Sequence, residues 1–231
     1  VKDFLFWSEN AISGRQHMYD ISVGLEKEAP GVKWVANGRV DMIDRELLGA
    51  MKKGGAWMIG YGVEAGTDRM LSLMKKNTTV KDIERAVALT KKSGLEVTAH
   101  VIVGHPGETR GDILETMRLV RRLPFDYIQV YCSVPFPGAP IYDEAKKEGW
   151  INTSDWAMFE QNFSILDTPW ISGQEVMALR EEMIRKFYLT PKSVLRTIRK
   201  IKAPREFVFL AGLAAQYFGS WVFKKKSRGN K

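Results

Sequence analysis

Short apolar runs alternate with amphipathic stretches over the first part of this chain, and the alternation predicts its secondary structure. Apolar runs of strand length are found at residues 4–7, 32–36, 57–61, 95–103 and 127–134. Between them, apolar residues recur with the period of a helix near 12–28, 43–53, 79–93 and 109–123. Strands and helices that alternate in this way are typical of repeated βα units, whose strands form a parallel sheet.

Residues that start and stop helices stand at the boundaries of these segments. Gly54-Gly55 and Gly94 follow helical stretches, as glycine does at helix C-termini, and Thr78 and Thr79 can cap the helix that comes next. Five βα units do not complete an eight-stranded barrel. With one further strand ahead of them, they predict an α/β fold of the partial (β/α)6, TIM-like kind, with strands 2 to 6 present. A doubly wound open sheet fits the same periodicity.

The pattern changes after Pro137. Ser172-Gly173-Gln174-Glu175 has the residue types of a capping box and starts a further helix, and residues 207–223 then run without a charge. We therefore predict three parts: a partial barrel at 1–145, a helical C-terminal extension at 146–203, and an amphipathic helix with a basic tail at 204–231.

The net charge of +8 is concentrated at the C-terminal end. From residue 192 onward there are eleven Lys and Arg against one acidic residue, Glu206, so this part carries +10 and the rest about −2. Charge confined to a tail favours a local contact such as an anionic membrane surface, and we expect no nucleic-acid partner. We expect peripheral membrane contact through 204–231, and with it a lipid-like substrate; packing of this helix on the rest of the protein is the alternative.

The chain has one cysteine, Cys132, which excludes an internal disulfide framework and a cysteine-based metal site built by this chain alone. His17, His100 and His105 do not have the spacing of metal ligands. We expect a cytoplasmic protein, or one at the inner face of the membrane. Because residues 3–7 already have the pattern of a strand, we expect the chain to begin inside a larger protein.

Glu64 stands in the motif Gly62-Val63-Glu64-Ala65-Gly66, which links an apolar strand to a helical stretch. In α/β barrels this rim carries the ligand and the chemistry. Glycines on both sides let a ligand approach the backbone, and the carboxylate can accept two hydrogen bonds from a vicinal diol such as that of ribose. A solvated turn glutamate is the alternative. Arg39 can pair with Glu64 or with a ligand carboxylate, unless its role is structural.

Two further segments follow strand-like runs. In Gly104-His105-Pro106-Gly107-Glu108-Thr109, exposed peptide N–H and C=O groups can hold an adenine edge or a carboxylate, and an efficient βα turn is the alternative. In Ser8-Glu9-Asn10 the acid can bind an amino group, or the flanking residues can cap a helix. His100 alternates with Ile102 and can point into the barrel; a hydrogen-bonded core histidine is the alternative.

In this order, the segments resemble the radical S-adenosylmethionine (SAM) superfamily, from its second strand to its sixth. Within it, they resemble most the branch that has an N-terminal cobalamin-binding domain. The resemblance runs over residues 32–149 and rests on these motifs: Gly38-Arg39-Val40-Asp41, Gly62-Val63-Glu64-Ala65-Gly66, Met74-Lys75-Lys76-Asn77-Thr78, Gly104-His105-Pro106-Gly107-Glu108-Thr109 and Pro135-Phe136-Pro137-Gly138.

The resemblance implies how SAM is bound. Glu9 stands near the position that binds the SAM amino group, Glu64 matches the ribose contact, and Lys76 is a candidate for the SAM carboxylate. The adenine contacts match the strand ends at Ile102, Gly104 and Val134. The implied cofactors are SAM and a [4Fe–4S] cluster. The resemblance also allows cobalamin as a further cofactor, bound by a domain outside this chain. The CxxxCxxC loop that binds the cluster does not occur here, so its ligands lie outside this chain.

The resemblance implies that the parent protein is an enzyme, and it names no catalytic residue in this chain. The cluster would receive an electron from a reductant protein and cleave SAM to a 5′-deoxyadenosyl radical. Methylation or rearrangement at an unactivated carbon of a small-molecule substrate would follow. Alone, this chain should be inactive. The alternatives are a non-catalytic α/β domain that binds a nucleotide or a partner, and a methylthiotransferase of the same superfamily. The methylthiotransferase is disfavoured by the helical C-terminal part, where a small RNA-binding β-barrel would be expected.

Overall fold

The computed structural model describes residues 3–6, 10–191 and 193–195 of the 231-residue chain. All five predicted strands are confirmed. They form one parallel sheet in which strands that are consecutive in the sequence are neighbours. The strands are β1 (Asp3–Phe6), β2 (Lys33–Gly38), β3 (Ala56–Glu64), β4 (Glu96–Val103) and β5 (Tyr127–Cys132).

Seven α-helices have both ends within the described residues, together with a short 3-10 helix at Trp156–Met158. Four of them confirm the predicted helical stretches, and the helix predicted from Ser172 is also present. The two short helices at Asp68–Leu73 and Pro140–Lys147 were not predicted. The helices are α1 (Arg15–Glu28), α2 (Arg45–Lys53), α3 (Asp68–Leu73), α4 (Val80–Lys92), α5 (Arg110–Arg122), α6 (Pro140–Lys147) and α7 (Gly173–Tyr188).

The sequential strand order decides between the two predicted folds. A doubly wound sheet reverses its strand order at a switch point, whereas here the order runs β1-β2-β3-β4-β5 without reversal. The sheet curls into a half-barrel, so the partial (β/α)6 barrel is confirmed. Its outer face is apolar and buried under helices. One contact between this face and a helix is the hydrogen bond of the Tyr61 hydroxyl with Thr90 of α4, at 2.7 Å. Its inner face carries the alternate residues, including Gly60, Gly62 and His100.

Local chemistry sets the helix ends. Thr79 caps α4 as predicted, and Thr109, which was not predicted as a cap, begins α5; each makes a complete capping box with the aspartate three residues later. Gly55 and Gly94, which follow α2 and α4, have the positive φ angles of 96° and 74° that glycine adopts without strain. The Ser172 hydroxyl accepts the Glu175 N–H at 3.2 Å and begins α7.

The chain divides into two compact units, residues 1–187 and 188–231. The predicted boundaries at 145 and 203 stay predictions, and the amphipathic tail at 204–231 lies outside the described residues. In the described part of the chain, no helix combines the length and the apolar character needed to cross a bilayer.

Candidate functional site

Glu64 ends β3 in a strained backbone conformation. Its φ is 57°, and the Ala65 N–H donates to the Val63 carbonyl at 2.7 Å, which closes a three-residue γ-turn. A side chain in this region costs about 1–2 kcal/mol, and such strain is concentrated at functional sites. The turn folds the carboxylate back over Gly62, where a Cβ atom would stand 2.6 Å from Oε1. Glycine at position 62 therefore makes room for the Glu64 side chain.

Lys76 is brought to Glu64 by the way α3 ends. The Lys76 N–H donates to the Leu71 carbonyl and the Lys75 N–H to the Ser72 carbonyl, both at 3.0 Å, and Lys75 has φ 56°. This is a Schellman motif with lysine in the position that glycine usually takes. It reverses the chain, and the Lys76 ammonium lies 2.6 Å from Glu64 Oε1. Glu64 is 7% exposed, so the carboxylate of this ion pair is largely shielded from water.

Arg39 lies beside this pair, but its partner is not Glu64. Its guanidinium forms a bidentate ion pair with Asp41, at 3.0 and 2.9 Å, and a further N–H reaches the Lys76 carbonyl at 3.3 Å. Of the roles left open for Arg39, the structure shows the structural one: Asp41 lies in the same turn as Arg39, and Lys76 already pairs with Glu64. Arg39 instead holds the backbone of Lys76, so the structure brings Arg39, Glu64 and Lys76 together.

The strand-end turn after β4 is more closed than the sequence predicted. Gly104 has φ 79°, and its N–H donates to Glu108 Oε2 at 2.5 Å, with the His105 N–H at 3.3 Å from the same oxygen. A Cβ at Gly104 would stand 3.0 Å from Val176 of α7. The expectation of exposed N–H groups at Gly104 and His105 is therefore wrong, because a side chain of the same turn has taken them.

Ile102 and Val134, the other predicted adenine contacts, remain half-buried at the ends of neighbouring strands. Ile102 pairs in register with Tyr131, and the Ser133 N–H donates to the Val103 carbonyl at 2.8 Å. This bond keeps the loop that carries Val134 against the end of β4. A flat apolar ligand can contact both side chains at this edge.

Glu108 is a residue whose role the sequence did not reveal. Its side chain is fully buried, and this burial raises its pKa to about 7 in spite of the two N–H groups that stabilise the carboxylate. Nearby Asp112 raises the pKa further, and Arg69 lowers it. Glu108 Oε1 has no hydrogen-bonding partner among the described residues. The buried Glu108 side chain thus holds the turn at Gly104 and His105 by accepting hydrogen bonds from its N–H groups.

Glu9 lies outside the described residues, whereas its neighbour Asn10 is described. The Asn10 amide nitrogen contacts the Met42 sulfur at 3.4 Å, and its Oδ1 is buried without a partner in the described part of the chain. The Ala11 N–H donates to the Asn37 carbonyl at 3.0 Å, which ties this loop to the end of β2. Asn10 therefore presents an unused acceptor at the rim, suited to a donor such as an ammonium group.

The inner face of the sheet carries a group of uncharged polar side chains. His100 points inward as predicted, and burial lowers its pKa, although the charge of Glu64 and a hydrogen bond with Gln129 oppose the shift. Its ring stacks on Tyr131 with 6.1 Å between ring centres, and the Tyr131 hydroxyl donates to Gln129 at 2.7 Å. The predicted core histidine differs in one respect: its Nε2 has no partner among the described residues.

The described residues of this chain do not form a site for an iron–sulfur cluster. Cys132 is buried, its Sγ lies 3.7 Å from the Met177 sulfur, and burial raises the pKa of its thiol to about 11. Such a thiol is almost entirely protonated at neutral pH and is a poor nucleophile. Across the described ranges, no three histidine, cysteine or acidic side chains come together in a way that could bind a metal ion.

Comparisons with known proteins identify the family of this chain. The sequence model of the Radical SAM superfamily matches residues 4–120. An uncharacterized methyltransferase of Pyrococcus horikoshii is 26% identical over 198 residues, which cover 86% of this chain and 43% of that protein. A putative methylthiotransferase of Methanocaldococcus jannaschii is 34% identical over 109 residues, covering 47% and 24%. This chain therefore spans less than half the length of these two relatives.

Among solved structures, the chain is similar to the radical SAM methyltransferase TsrM from Kitasatospora setae, determined with cobalamin and a [4Fe–4S] cluster bound. The TM-score is 0.58 at 16% identity, and the match covers 67% of this chain and 30% of that one. At this identity the likeness concerns the fold alone.

Proposed function

The chain belongs to the radical SAM superfamily, and from that premise we propose that it is the SAM-binding part of a longer enzyme of the cobalamin-dependent kind. The enzyme cleaves SAM reductively to a 5′-deoxyadenosyl radical and then methylates or rearranges a small molecule at an unactivated carbon. The ligands of its [4Fe–4S] cluster and its cobalamin domain lie outside this chain, and a reductant protein supplies the electron.

One observation carries this proposal: the Glu64–Lys76 pair at the carboxyl edge of the sheet. SAM has a carboxylate that suits the Lys76 ammonium and a ribose diol that suits the Glu64 carboxylate. Without a ligand, the two side chains neutralise each other at 2.6 Å. SAM binding exchanges this one ion pair for two charge-assisted contacts. The unused Asn10 Oδ1 adds an acceptor for the SAM ammonium at the same rim.

When bound, the cluster and SAM supply a carbon radical that can abstract hydrogen from an unactivated carbon. The residues of this chain bind and orient. Glu64 and Lys76 hold the two polar ends of the ligand, and Arg39 fixes the Lys76 backbone through the bond to its carbonyl. Ile102 and Val134 offer an apolar surface to a flat ring, and Glu108 keeps the intervening turn closed.

SAM affinity of the full-length protein, measured by calorimetry under anaerobic conditions, tests this assignment. Each charge-assisted contact contributes about 1.5–3 kcal/mol, so Glu64→Ala and Lys76→Ala should each weaken binding about tenfold to hundredfold. The control is Arg122→Ala, which removes an exposed ion pair with Glu84 on the outer helices and should change the affinity less than about twofold. Unchanged affinity in both site variants would refute the assignment.

Formation of 5′-deoxyadenosine separates the enzyme from a non-catalytic nucleotide-binding domain. The reconstituted full-length protein, mixed with SAM and a chemical reductant, should release 5′-deoxyadenosine. SAM binding without this product would favour the non-catalytic alternative.

A methylthiotransferase is the second candidate, favoured by the similarity to the putative methylthiotransferase of Methanocaldococcus jannaschii. The C-terminal part of the described chain contains the helix α7, whereas a methylthiotransferase would be expected to have a small RNA-binding β-barrel in its C-terminal part. This helix supports the methyltransferase. Mass spectrometry of the product distinguishes the two, because only a methylthiotransferase adds sulfur together with the methyl group.

A further inference from the structure

The side chains of Asn37 and His100 both lie close to Gly60 on the inner face of the half-barrel. A Cβ at Gly60 would stand 2.5 Å from Asn37 Oδ1 and 2.5 Å from His100 Nε2. Asn37 is the register partner of Gly60, and His100 lies on the next strand opposite Gly62. The missing side chain at position 60 is therefore what lets an amide from β2 and an imidazole from β4 approach each other across β3. We call Asn37, His100, Gln129 and Tyr131 the inner polar cluster.

The inner polar cluster is uncharged and partly unsatisfied. Burial keeps the His100 imidazole neutral at physiological pH, and Tyr131 supports its ring by stacking, with 14° between the ring planes. His100 Nε2 is buried and has no partner in the described part of the chain. A buried polar atom left in this state is unfavourable, and a ligand group that bonds to it would recover this cost.

We infer that the inner polar cluster recognises the substrate, and that the substrate presents an uncharged hydrogen-bonding group, of the carboxamide type, to His100 Nε2 and Asn37. This inference rests on the proposed function, which places a reacting molecule beneath a cofactor held at the rim. It adds the chemical class of that molecule and the two residues that select it.

The charges of the site decide between ligand classes. Glu64, whose charge acts on His100, is already paired with Lys76 at the rim. A charged ligand group bound at the buried His100 Nε2 would therefore find no free counter-charge, which is unfavourable. An apolar group, as in a lipid-like substrate, would leave Nε2 unpaired. A carboxamide both donates and accepts, so it satisfies either tautomer of His100 together with the Asn37 amide.

Three probes of equal shape test the inference: benzamide, benzoate and benzamidinium, which are neutral, anionic and cationic. Each is titrated into the full-length, SAM-saturated protein labelled with ¹⁵N-histidine, and the His100 signals are assigned with His100→Gln. We expect benzamide to shift the His100 Nε2 signal in a saturable way and to bind at least about tenfold more tightly than either ion. Equal affinities, or saturation without a shift at His100, would overturn the inference.

A reversal of charge preference separates recognition from a structural role. Asn37→Asp keeps the side-chain shape and adds a negative charge, so benzamidinium should become the preferred probe by about tenfold. The matched control is Gln16→Glu, the same change of an amide to a carboxylate on the exposed side of α1, which should leave benzamide preferred. An unchanged preference in Asn37→Asp contradicts the inference. SAM calorimetry on the same samples reports separately on the proposed function.

Discussion

At the scale of single residues, Glu64 combines a backbone conformation that favours glycine with a side chain that we propose to contact the SAM ribose. Glu64→Gly and Glu64→Ala both remove the carboxylate and its ion pair, but only alanine keeps the steric conflict at φ 57°. We therefore expect Glu64→Gly to be more stable than Glu64→Ala by about 1 kcal/mol, measured from urea unfolding. An alanine variant as stable as the glycine variant would show that the γ-turn is unstrained.

Glu108 gives the protein a pH dependence of known sign. Its pKa is about 7 in the folded protein against 4.5 for the free side chain, so between these values the folded state holds a proton that the unfolded state has lost. Stability should therefore fall as the pH rises from about 4.5 to about 7. Relative to Glu108→Gln, the wild type should lose up to about 1.4 kcal/mol of unfolding free energy per pH unit in this window.

The control for this measurement is Glu115→Gln, on the exposed side of the same helix, α5. Urea unfolding of all three proteins at several pH values gives the comparison. If the wild type and Glu108→Gln have parallel pH profiles, the Glu108 carboxyl is not buried as described.

At the scale of elements, two glycines should respond in opposite ways to an added methyl group. At Gly66 a Cβ would stand 2.4 Å from the Thr116 Cα, in the backbone of α5, and the Gly66 N–H donates to the Thr116 hydroxyl at 2.8 Å. At Gly49, inside α2, nothing lies within 4 Å. We expect Gly66→Ala to lower the unfolding free energy by about 2–3 kcal/mol and Gly49→Ala to raise it by about 0.5–1 kcal/mol.

Thermal unfolding of the two glycine variants checks this prediction. Each variant is the control for the other, because the change from glycine to alanine is the same in both. Equal shifts in the two would mean that the contact between Gly66 and α5 does not constrain the loop after β3.

The strands and the long helices were predictable from the sequence, and the short helices were not. The five strands stand out as apolar runs, and the helices α1, α2, α4 and α5 have enough residues for their apolar period to stand out. Helix α3 has six residues and α6 has eight, too few for a clear period, and both depend on their ends. Thr67 caps α3, and Pro140 occupies the first turn of α6.

The candidate site was predictable as a set of strand ends, but not as a set of contacts. The motifs placed Glu64 and Ile102 at one rim because parallel strands end at the same edge, whereas Lys76 was assigned only through the resemblance to the superfamily. The ion pair between Glu64 and Lys76 depends on a γ-turn and a Schellman motif made by residues that do not usually adopt positive φ. The closing of the Gly104 turn depends on Glu108 reaching back to it, and no spacing rule reveals such a contact.

At the scale of the whole molecule, membrane contact through residues 204–231 stays a prediction from the sequence. Lys224, Lys225, Lys226 and Arg228 would each contribute about 1 kcal/mol near an anionic surface. We expect the full-length protein to sediment with vesicles that contain anionic lipid, and the protein without 204–231 to stay in solution. Vesicles of neutral lipid are the control. Equal sedimentation of the two proteins would contradict the prediction.

The two outer strands of the sheet differ in a way that matters for protein engineering. Along β5, the Cys132 N–H donates to the Gln161 carbonyl and Arg180 donates to the Val130 carbonyl, both at 2.8 Å. Peptide groups occupied in this way offer no template for another strand. On β1, by contrast, the side chains of Phe4 and Leu5 are 48% and 49% exposed. A βα unit grafted beyond β5 would have to displace Gln161 and Arg180 from these peptide groups, so we expect chimeric barrels built on this half-barrel to reject growth at that edge.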